Sequence, residues 1–565
     1  MAESTQDSKR SSFILAAPDA SESTAHLCEE HELFDMQQEE NKNGNPRKKE
    51  DETEYPPTWR VALTMVGVCF AMFCMSLDNT ILATAVPKIT SQFNSLEDVG
   101  WYGSAYLLTI CGLNLVFGKL YTFYSIKIVY LIALAVFEVG SLICGAAPNS
   151  LGLILGRAVA GAGGAGLYSG AIVIITQSMP LDRRPLYTGL LGAVYGVAGV
   201  AGPLLGGAFT DYVSWRWCFY INLPFGGVTA VVVMWAFHAK SPIKATTGMM
   251  DQIAQLDLVG LAVFMPAIIC LLLALQWGGA EYSWGSGRVI GLLVTFGVLL
   301  GVYIAMQWWK QDQATVPPRL VKNRNVWGPA VISFCISAAL MVLTYYLPIW
   351  FQSIKNVSAM QSGLMNLPTI IATVTASLLS GTLVNIFGYY TPFMYVSPIL
   401  AAIGAGLLST LTPTSGHAEW IGYQALFGLG VGTGTTMPLV AVQAALDYED
   451  IPSATVIMMF MQTFGGALLV SVAQNIFQTL LVRNLARDAP GVDAAEIITA
   501  GATKIRDVVP AEMLSNVLVA YNDAITRSFY AATALSALAI VGALPVQWIS
   551  VKKNKRGKSL DGSAI

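Results

Sequence analysis

The sequence predicts an all-α membrane protein with about 14 transmembrane helices, built as two six-helix repeats with two extra helices inserted between them. Three observations carry this prediction: the composition, the number of long apolar segments and an internal repeat. Of the 565 residues, 54% are hydrophobic and only 12% are charged, and the mean hydropathy is +0.56. Soluble domains carry about 25% charged residues, so much of this apolar surface is expected to face lipid.

The apolar segments are long enough to cross a bilayer, which needs about 20 residues for about 30 Å of hydrocarbon. They are predicted at residues 61–86, 99–121, 127–147, 150–177, 186–210, 217–237, 256–276, 288–309, 326–351, 361–387, 391–412, 420–443, 454–481 and 527–549. Lys and Arg concentrate in alternate connections and in the last residues of the chain. This asymmetry predicts that both termini are cytoplasmic.

The internal repeat divides the membrane region into halves. GKLYTFYSIK at 118–127 resembles GTLVNIFGYY at 381–390, and RAVAGAG at 157–163 resembles QALFGLG at 424–430. In both cases nearly the same length of chain separates the two copies, which pairs segment 2 with segment 10 and segment 4 with segment 12. Repeated halves with a site between them are typical of secondary transporters.

The repeat and the composition together predict the domain organisation. A disordered cytoplasmic tail at 1–58 is polar and rich in Ser, Glu and Lys. The predicted units that follow are a first six-helix half at 59–238, two inserted helices with linkers at 239–325, a second half at 326–550 and a basic cytoplasmic tail at 551–565. Within the second half, residues 482–526 are predicted to form a long extracellular loop.

Three charged residues lie inside predicted membrane helices and away from the helix ends: Asp78, Arg157 and Glu138. Each costs about 2.5–3.5 kcal/mol on insertion scales, so each should face protein or a watery cavity. Asp78 and Arg157 are expected at similar depths, which favours a proton-titrated acid near a guanidinium. The alternative is a structural ion pair or a helix anchor. Glu138 is interpreted as a further proton site, or else as a neutral carboxyl hydrogen-bonded between packed helices.

Four motifs together resemble one family. They are LDNTILATAVP at 77–87, GRAVAGAG at 156–163, GVAGPLLGG at 199–207 and WRWCFYINLP at 215–224. They are similar to motifs of the major facilitator superfamily, in its fourteen-span drug:proton antiporter branch, and the chain resembles the toxin and secondary-metabolite efflux pumps of filamentous fungi. The resemblance implies the major facilitator fold, proton-coupled antiport, and an antiporter motif formed by Gly199, Gly202, Pro203, Gly206 and Gly207.

The resemblance also implies a cytoplasmic gate loop, and here the sequence departs from the family pattern. The first copy of the loop keeps only Gly118, Leu120 and Lys127 of the family pattern, and the second copy has Gly381 and Gly388 as its gate-loop glycines. Thr122 and Asn385 occupy the positions of the family's gate aspartate. We therefore expect gating by packing and neutral hydrogen bonds.

Glycines also recur along segment 5, at Gly192, Gly196, Gly199, Gly202 and Gly206. This spacing predicts one glycine face on a helix, which would let the two halves meet closely. Close helix approach at small residues is common in membrane bundles.

The polar residues of the second half are uncharged within its predicted helices, which favours shape and neutral contacts to a substrate. Candidate cavity residues are Asn114, Tyr195, Asn222, Tyr345, Tyr346, Gln443, Gln462 and Phe464. The alternative role for each amide is an interhelical hydrogen bond, and for each aromatic a place at the membrane interface.

These observations predict a monomeric, proton-driven exporter of amphiphilic organic compounds that works by alternating access in the plasma membrane, with a vacuolar or vesicle membrane as the alternative. Its partners are the small-molecule substrate, protons and the lipid bilayer; no nucleic acid, no cofactor and no enzymatic activity are expected. Alternatives are a siderophore or vacuolar basic amino-acid transporter and a non-transporting membrane sensor. The sequence has no GxxxxGK[ST] motif for ATP, and its one glycosylation sequon is at Asn356.

Overall fold

The computed structural model describes residues 56–93, 99–238, 257–279, 282–311, 314–447, 449–494, 497 and 505–552. The predicted tails at 1–58 and 551–565 lie almost wholly outside the described residues, as does much of the linker before the inserted helices. The predictions for these segments therefore stay predictions.

Fourteen of the described helices are long and apolar enough to cross a membrane, which agrees with the predicted number. They are α1 (Thr58–Phe93), α2 (Val99–Phe123), α3 (Ile126–Ala146), α4 (Ser150–Ser178), α5 (Arg184–Tyr212), α6 (Asn222–Ala236), α7 (Leu258–Trp277), α8 (Gly287–Lys310), α9 (Arg324–Lys355), α10 (Leu367–Phe387), α11 (Thr391–Leu408), α12 (His417–Ala445), α13 (Ile451–Asp488) and α14 (Leu514–Ala543). The sixth candidate span is Trp217–Ala236, which joins the short helix Trp217–Tyr220 to α6. Short helices at Pro318–Lys322, Ala359–Met365 and Ile505–Val508 lie between the spans.

The largest boundary error concerns the long loop predicted at 482–526. α13 continues to Asp488 and α14 begins at Leu514, so both helices extend into this segment. The polar residues of α14 lower the hydropathy of this segment, so the sequence predicts a loop. In the fold these residues are paired with other polar groups, and the segment is helical. Trp350 donates to Asn522 at 2.7 Å, and Asp523 forms an ion pair at 2.8 Å with the arginine one turn later.

The first and last membrane helices begin and end on the same side of the bundle, here called the terminal face. Trp59 near the start of α1 packs against Trp235 near the end of α6, with ring centroids 5.8 Å apart. In the second half, the Gln547 backbone N–H just beyond α14 donates to Asn325 Oδ1 at the start of α9 at 3.0 Å. The other side is called the opposite face.

Glycines set the helix spacing in the same way in both halves. Gly163 of α4 lies against the backbone of Phe137 in α3, and Gly430 of α12 lies against the backbone of Ala401 in α11. A Cβ atom at either glycine would overlap the neighbouring main chain. The two glycines end the matching sequence segments at 157–163 and 424–430, so the repeat in the sequence is also a repeat in the packing.

The inserted helices lie on one seam between the halves. α7 packs an apolar cluster against α2 and α13, formed by Leu108, Cys111, Leu115, Phe264, Ile268, Val456 and Phe460. Gly112 of α2 accommodates Met265 of α7. α8 packs on α7 and leaves Val294 and Val298 exposed, as expected of a surface that faces lipid.

Candidate proton site and transport cavity

The structure brings Asp78 of α1 and Arg157 of α4 into direct contact. One guanidinium nitrogen of Arg157 donates to the Asp78 carboxylate, and both side chains are fully buried. The same nitrogen also approaches the Asp78 backbone carbonyl at 3.3 Å. The sequence predicted similar depths for the two residues but left a direct contact between them open. Because the depths match, the two side chains can meet across the helices.

Arg157 is further held by α2. Its Nε donates to the Tyr102 carbonyl at 2.8 Å, and its guanidinium carbon lies 4.2 Å from the centroid of the Tyr106 ring. Gly161 of α4 leaves room for this approach, because a Cβ there would overlap the backbone of Tyr106. A desolvated cation over an aromatic ring is stabilised by the ring quadrupole. Tyr102 and Tyr106 were missed from the sequence, since their role depends on packing across helices.

Asn222, predicted as a substrate-cavity residue, belongs to this buried cluster. It is fully buried at the start of α6, and its amide donates to Asp78 Oδ1 at 3.4 Å and to Ser141 Oγ at 3.1 Å. The break between the short helix Trp217–Tyr220 and α6 brings the amide to this position. α1, α3, α4 and α6 therefore meet around one carboxylate.

Glu138 lies beside this cluster, one turn before Ser141 on α3. Both carboxyl oxygens are buried and have no hydrogen-bond partner. The carboxyl group occupies the space that a side chain at Gly226 of α6 would fill. A buried charged carboxylate without a donor is very costly, so this position fits a carboxyl that is neutral while it is docked against Gly226.

The glycines of α5 do not form the single interface between halves that the spacing predicted. Gly192 and Gly196 face Ser377 and Val374 of α10 in the second half. Gly202 and Gly206 instead lie against Thr80 and Thr84 of α1, in the first half. The glycine face of α5 is wide enough to contact two neighbouring helices. α5 therefore packs closely against both α1 and α10.

Within the antiporter motif, only Gly202 and Gly206 make such close contacts. Among the described residues, no atom of another helix lies within 4 Å of a Cβ built at Gly199 or Gly207. Pro203 lies 3.7 Å from a Cβ built at Gly363, in the short helix before α10.

The predicted gate loop is divided between contacts across the halves and contacts within one half. Gly118 of α2 lies 3.0 Å from Val456 of α13, measured from a built Cβ, and Gly381 of α10 lies against the backbone of Pro185 in α5. Both contacts join the halves near the terminal face. The structure is therefore closely packed on that face between α2 and α13 and between α5 and α10.

Two other gate-loop residues stay within their own half. Lys127 donates to the Met234 carbonyl at 2.5 Å. Gly388 ends α10 in the left-handed region, at φ 87°, and its carbonyl accepts from Val551 N at 2.9 Å. Thr122, at the gate-aspartate position, donates to the Gly118 carbonyl at 2.9 Å.

The predicted aromatic cavity residues have different environments. Tyr345 of α9 is 60% exposed. Tyr346 is buried in the core of the second half and packs against Phe477 at 5.7 Å between ring centroids. Phe464 of α13 stacks on Phe460, with centroids 5.4 Å apart. Tyr195 is half-buried, and its carbonyl accepts from Ser76 at 3.2 Å.

The predicted amides divide between partnered and unpartnered groups. Gln462 of α13 accepts from the Tyr168 hydroxyl of α4 at 2.6 Å and donates to the Thr435 carbonyl at 2.9 Å. Asn114 and Gln443 are buried, and no amide atom of either has a hydrogen-bond partner. Tyr168 was missed from the sequence, because nothing in its local pattern shows that it contacts the other half.

A second polar cluster, also missed, fixes the inserted helices at the terminal face. Asp257 precedes α7 and accepts from Lys310 at 2.5 Å, from Gln307 at 2.8 Å and from Thr315 at 2.8 Å. Burial alone would raise the pKa of Asp257, but these hydrogen bonds and one from Gly260 N–H hold that pKa below its usual value. The cluster ties α7 to the end of α8.

The predicted glycosylation site lies at the end of α9. Asn356 is exposed and adopts the left-handed region, at φ 55°. Ser358 of the sequon caps the short helix Ala359–Met365 and accepts from Gln361 N at 3.2 Å.

Comparison with known proteins decides the family. A model of the Major Facilitator Superfamily matches residues 68–470, which is more than half of the chain. The chain belongs to the Major Facilitator Superfamily. With its 14 candidate membrane helices, this family member is an integral membrane transport protein, and the resemblance in the sequence motifs is confirmed.

Several curated relatives are similar over most of their length. The MFS-type transporter astH of Aspergillus oryzae is 60% identical over 504 residues, covering 89% of each chain. The efflux pump roqT of Penicillium rubens is 53% identical over 506 residues, covering 90% of this chain and 94% of the relative. The efflux pump MFS1 of Trichophyton rubrum is 52% identical over 497 residues, covering 88% of this chain and 93% of the relative.

A solved structure supports the fold. The crystal structure of the human organic anion transporter MFSD10 matches with a TM-score of 0.54 and 13% identity, covering 87% of this chain and 100% of that chain. At this identity the similarity concerns the fold alone. The major facilitator fold predicted from the sequence is thereby confirmed.

Proposed function

We propose that this major facilitator protein exports amphiphilic organic compounds across the plasma membrane and draws its energy from the proton gradient. Its terminal face is the cytoplasmic side, in keeping with the Lys and Arg residues in the connections on that side. Both halves come from one chain, so a monomer suffices for transport. Relatives that are more than half identical are named efflux pumps, which supports export.

One observation carries the proton-coupling part of the proposal: the fully buried contact between Asp78 and Arg157. Removing one partner of a buried ion pair typically costs about 3–5 kcal/mol. Protonation of Asp78 would have a similar effect, because the buried Arg157 would then lack an opposing charge. The proton on Asp78 is therefore linked to the packing of α1 against α4.

The packing of α1 offers a route from this site to the interface between the halves. Ser76 and Thr80, on either side of Asp78, donate to carbonyls of α5 at 3.2 Å each. Gly202 and Gly206 of α5 lie against α1, while Gly192 and Gly196 lie against α10. A shift of α1 on protonation would thus move α5 against the second half.

Glu138 acts as a second proton-linked group in this proposal. Its unpartnered carboxyl lies in the notch at Gly226, and α6 also carries Asn222, which donates to Asp78. The titratable groups near it include Asp78 and the thiol of Cys74. Its neutral form would keep α3 and α6 docked.

The experiment is efflux from a yeast host that lacks its own drug pumps, with rhodamine 6G as the probe. Wild type should lower the retained dye, and a protonophore should abolish this difference. Asp78→Asn and Arg157→Ala should retain as much dye as cells without the protein. Equal efflux with and without the protonophore, at equal membrane levels of protein, would contradict proton coupling. A siderophore importer would instead increase uptake of an iron–siderophore complex.

A further inference from the structure

A hydrogen-bonded pair links the two halves in the middle of the membrane. Tyr168 of α4 donates to Gln462 Oε1 of α13 at 2.6 Å, and Gln462 Nε2 donates to the Thr435 carbonyl of α12 at 2.9 Å. Tyr168 is half-buried and Gln462 is 6% exposed. The pair involves no charged group, in contrast to the Asp78–Arg157 contact.

Asn114 of α2 lies at the same depth as this pair. Asn114, Tyr168 and Gln462 each lie between two and a half and just over three helical turns from the terminal-face ends of α2, α4 and α13. At 1.5 Å per residue this depth is about 14–17 Å.

The neighbours of Asn114 on α2 indicate which helices it lies between. Gly118, one turn nearer the terminal face, lies against Val456 of α13, and Phe117 lies against Gly166 of α4. Asn114 therefore lies on the part of α2 that adjoins the helices of the Tyr168–Gln462 pair.

The amide of Asn114 has no structural partner. The residue is 0% exposed, and neither its oxygen nor its nitrogen has a hydrogen-bond partner among the residues that the structure describes. A buried polar group without a partner destabilises the fold, and such groups are uncommon in native proteins. A buried amide that destabilises the fold and lies beside a polar contact between the two halves is typical of a ligand-binding position.

We propose that Asn114, Tyr168 and Gln462 form a polar subsite at the floor of the transport cavity, which binds an uncharged group that both donates and accepts hydrogen bonds. A primary amide, an imide or a hydroxyl beside a carbonyl has this chemistry. The ligand's donor pairs with an amide oxygen and its acceptor with the Asn114 amide nitrogen or the Tyr168 hydroxyl. This proposal rests on the proposed transport function and specifies the substrate class of the same cavity.

The first test measures the thermal stability of purified protein without ligand. Asn114→Leu removes the unpartnered amide and keeps a similar volume, so the melting temperature should rise by about 2 °C. Asn484→Leu is the matched control: Asn484 is 2% exposed but donates to Asp523 at 3.0 Å and to the Ala520 carbonyl at 3.3 Å. The control variant should have a lower melting temperature. A fall for Asn114→Leu equal to that of the control would overturn the proposal.

The second test measures binding of two neutral fluorescent probes that differ only in the N–H donors of one amide group, 7-diethylaminocoumarin-3-carboxamide and its N,N-dimethylamide analogue. Wild type should bind the primary-amide probe at least about 5-fold more tightly, which corresponds to about 1 kcal/mol. Asn114→Leu and Tyr168→Phe should bind both probes equally. Tyr121→Phe is the control, because the Tyr121 hydroxyl donates at 2.8 Å within one half, to the Gly166 carbonyl, and it should keep the preference.

The outcome separates this subsite from the proton-coupling proposal. Asp78→Asn/Arg157→Gln should keep the preference for the primary-amide probe, because neither residue belongs to the subsite. Equal binding of the two probes by wild type, or an unchanged preference in Asn114→Leu, would overturn the subsite whatever the result for proton coupling.

Discussion

Arg157 and Gln424 make equivalent hydrogen bonds in the two halves. Arg157 Nε donates to the Tyr102 carbonyl at 2.8 Å, and Gln424 Nε2 donates to the Met365 carbonyl at 3.0 Å. The donors are the first residues of the matching segments at 157–163 and 424–430, and the acceptors lie at the start of α2 and just before α10, which the repeat also pairs. The two halves thus share a backbone contact, and only the first half adds a charge to it.

The extra charge changes what the position can do. Gln424 completes its bonding by accepting from Thr369 at 3.0 Å, so its helix contact is neutral and independent of protons. Arg157 instead pairs with Asp78, so the equivalent contact in the first half depends on the protonation of a carboxylate. This asymmetry is the basis of the predictions for the first half.

The first prediction concerns the stability of the charged pair. Asp78→Asn should destabilise the protein by about 3–5 kcal/mol, because it leaves the buried Arg157 without its counter-charge. Asp78→Asn/Arg157→Gln should recover most of this loss, because Gln occupies the equivalent position in the second half. Thermal unfolding of the purified proteins measures both. A double variant as unstable as the single variant would contradict the pairing.

The second prediction concerns the notch that holds Glu138. Gly226→Ala should reduce protein stability and export, because the added Cβ would overlap the Glu138 carboxyl group. Gly227→Ala is the control and should change stability by no more than about 0.5–1 kcal/mol, since no atom lies within 4 Å of its Cβ. Export assays and melting temperatures measure the effects.

A compensating variant separates the packing role of Glu138 in this notch from its proposed role in proton coupling. Glu138→Ala in the Gly226→Ala protein should restore stability but not proton-driven export. Full recovery of export would show that Glu138 serves packing alone.

The third prediction concerns closure at the terminal face. Gly381→Val should favour the state that is open on this face, because a Cβ there comes within 2.5 Å of the Pro185 carbonyl. A Val456→Cys reporter, in a cysteine-free background, is buried between the halves and should react several-fold faster with a maleimide. Gly199→Ala, whose Cβ has open space, should leave the rate unchanged. An equal rate in both variants would contradict a role of the α5–α10 contact in closing the terminal face.

The fourth prediction concerns pH and the inserted helices. Asp257→Asn should lower stability at pH 7 by about 1–3 kcal/mol, since Lys310 and other donors lose a charged acceptor. The pKa of Asp257 is lowered from 3.8, so its stabilising effect is fully present above pH 3.8 and is lost as the pH falls through the lower folded pKa. Melting temperatures of the two proteins should therefore converge below that pH. A constant difference down to pH 2 would contradict this role.

The sequence predicted the helix number, the fold and the depth of Asp78 and Arg157, because hydropathy, helical rise and motifs are local properties. It failed where a residue's role depends on the direction it faces across the bundle. Tyr346 and Tyr345 are neighbours in the sequence, yet one lies in the core and the other is exposed. Tyr168 and Asn222 acquire their roles from helices distant in the chain, and no local pattern reports this.

Proton coupling through Asp78 and Arg157 is tested most directly with protein reconstituted in liposomes, with 7-diethylaminocoumarin-3-carboxamide as the probe. Exchange of labelled for unlabelled probe needs only alternating access, whereas accumulation in an acidic lumen needs proton coupling. Wild type should do both, whereas Asp78→Asn/Arg157→Gln should exchange the probe but not accumulate it. Accumulation by the double variant at the wild-type level would contradict the claim that Asp78 and Arg157 couple transport to protons.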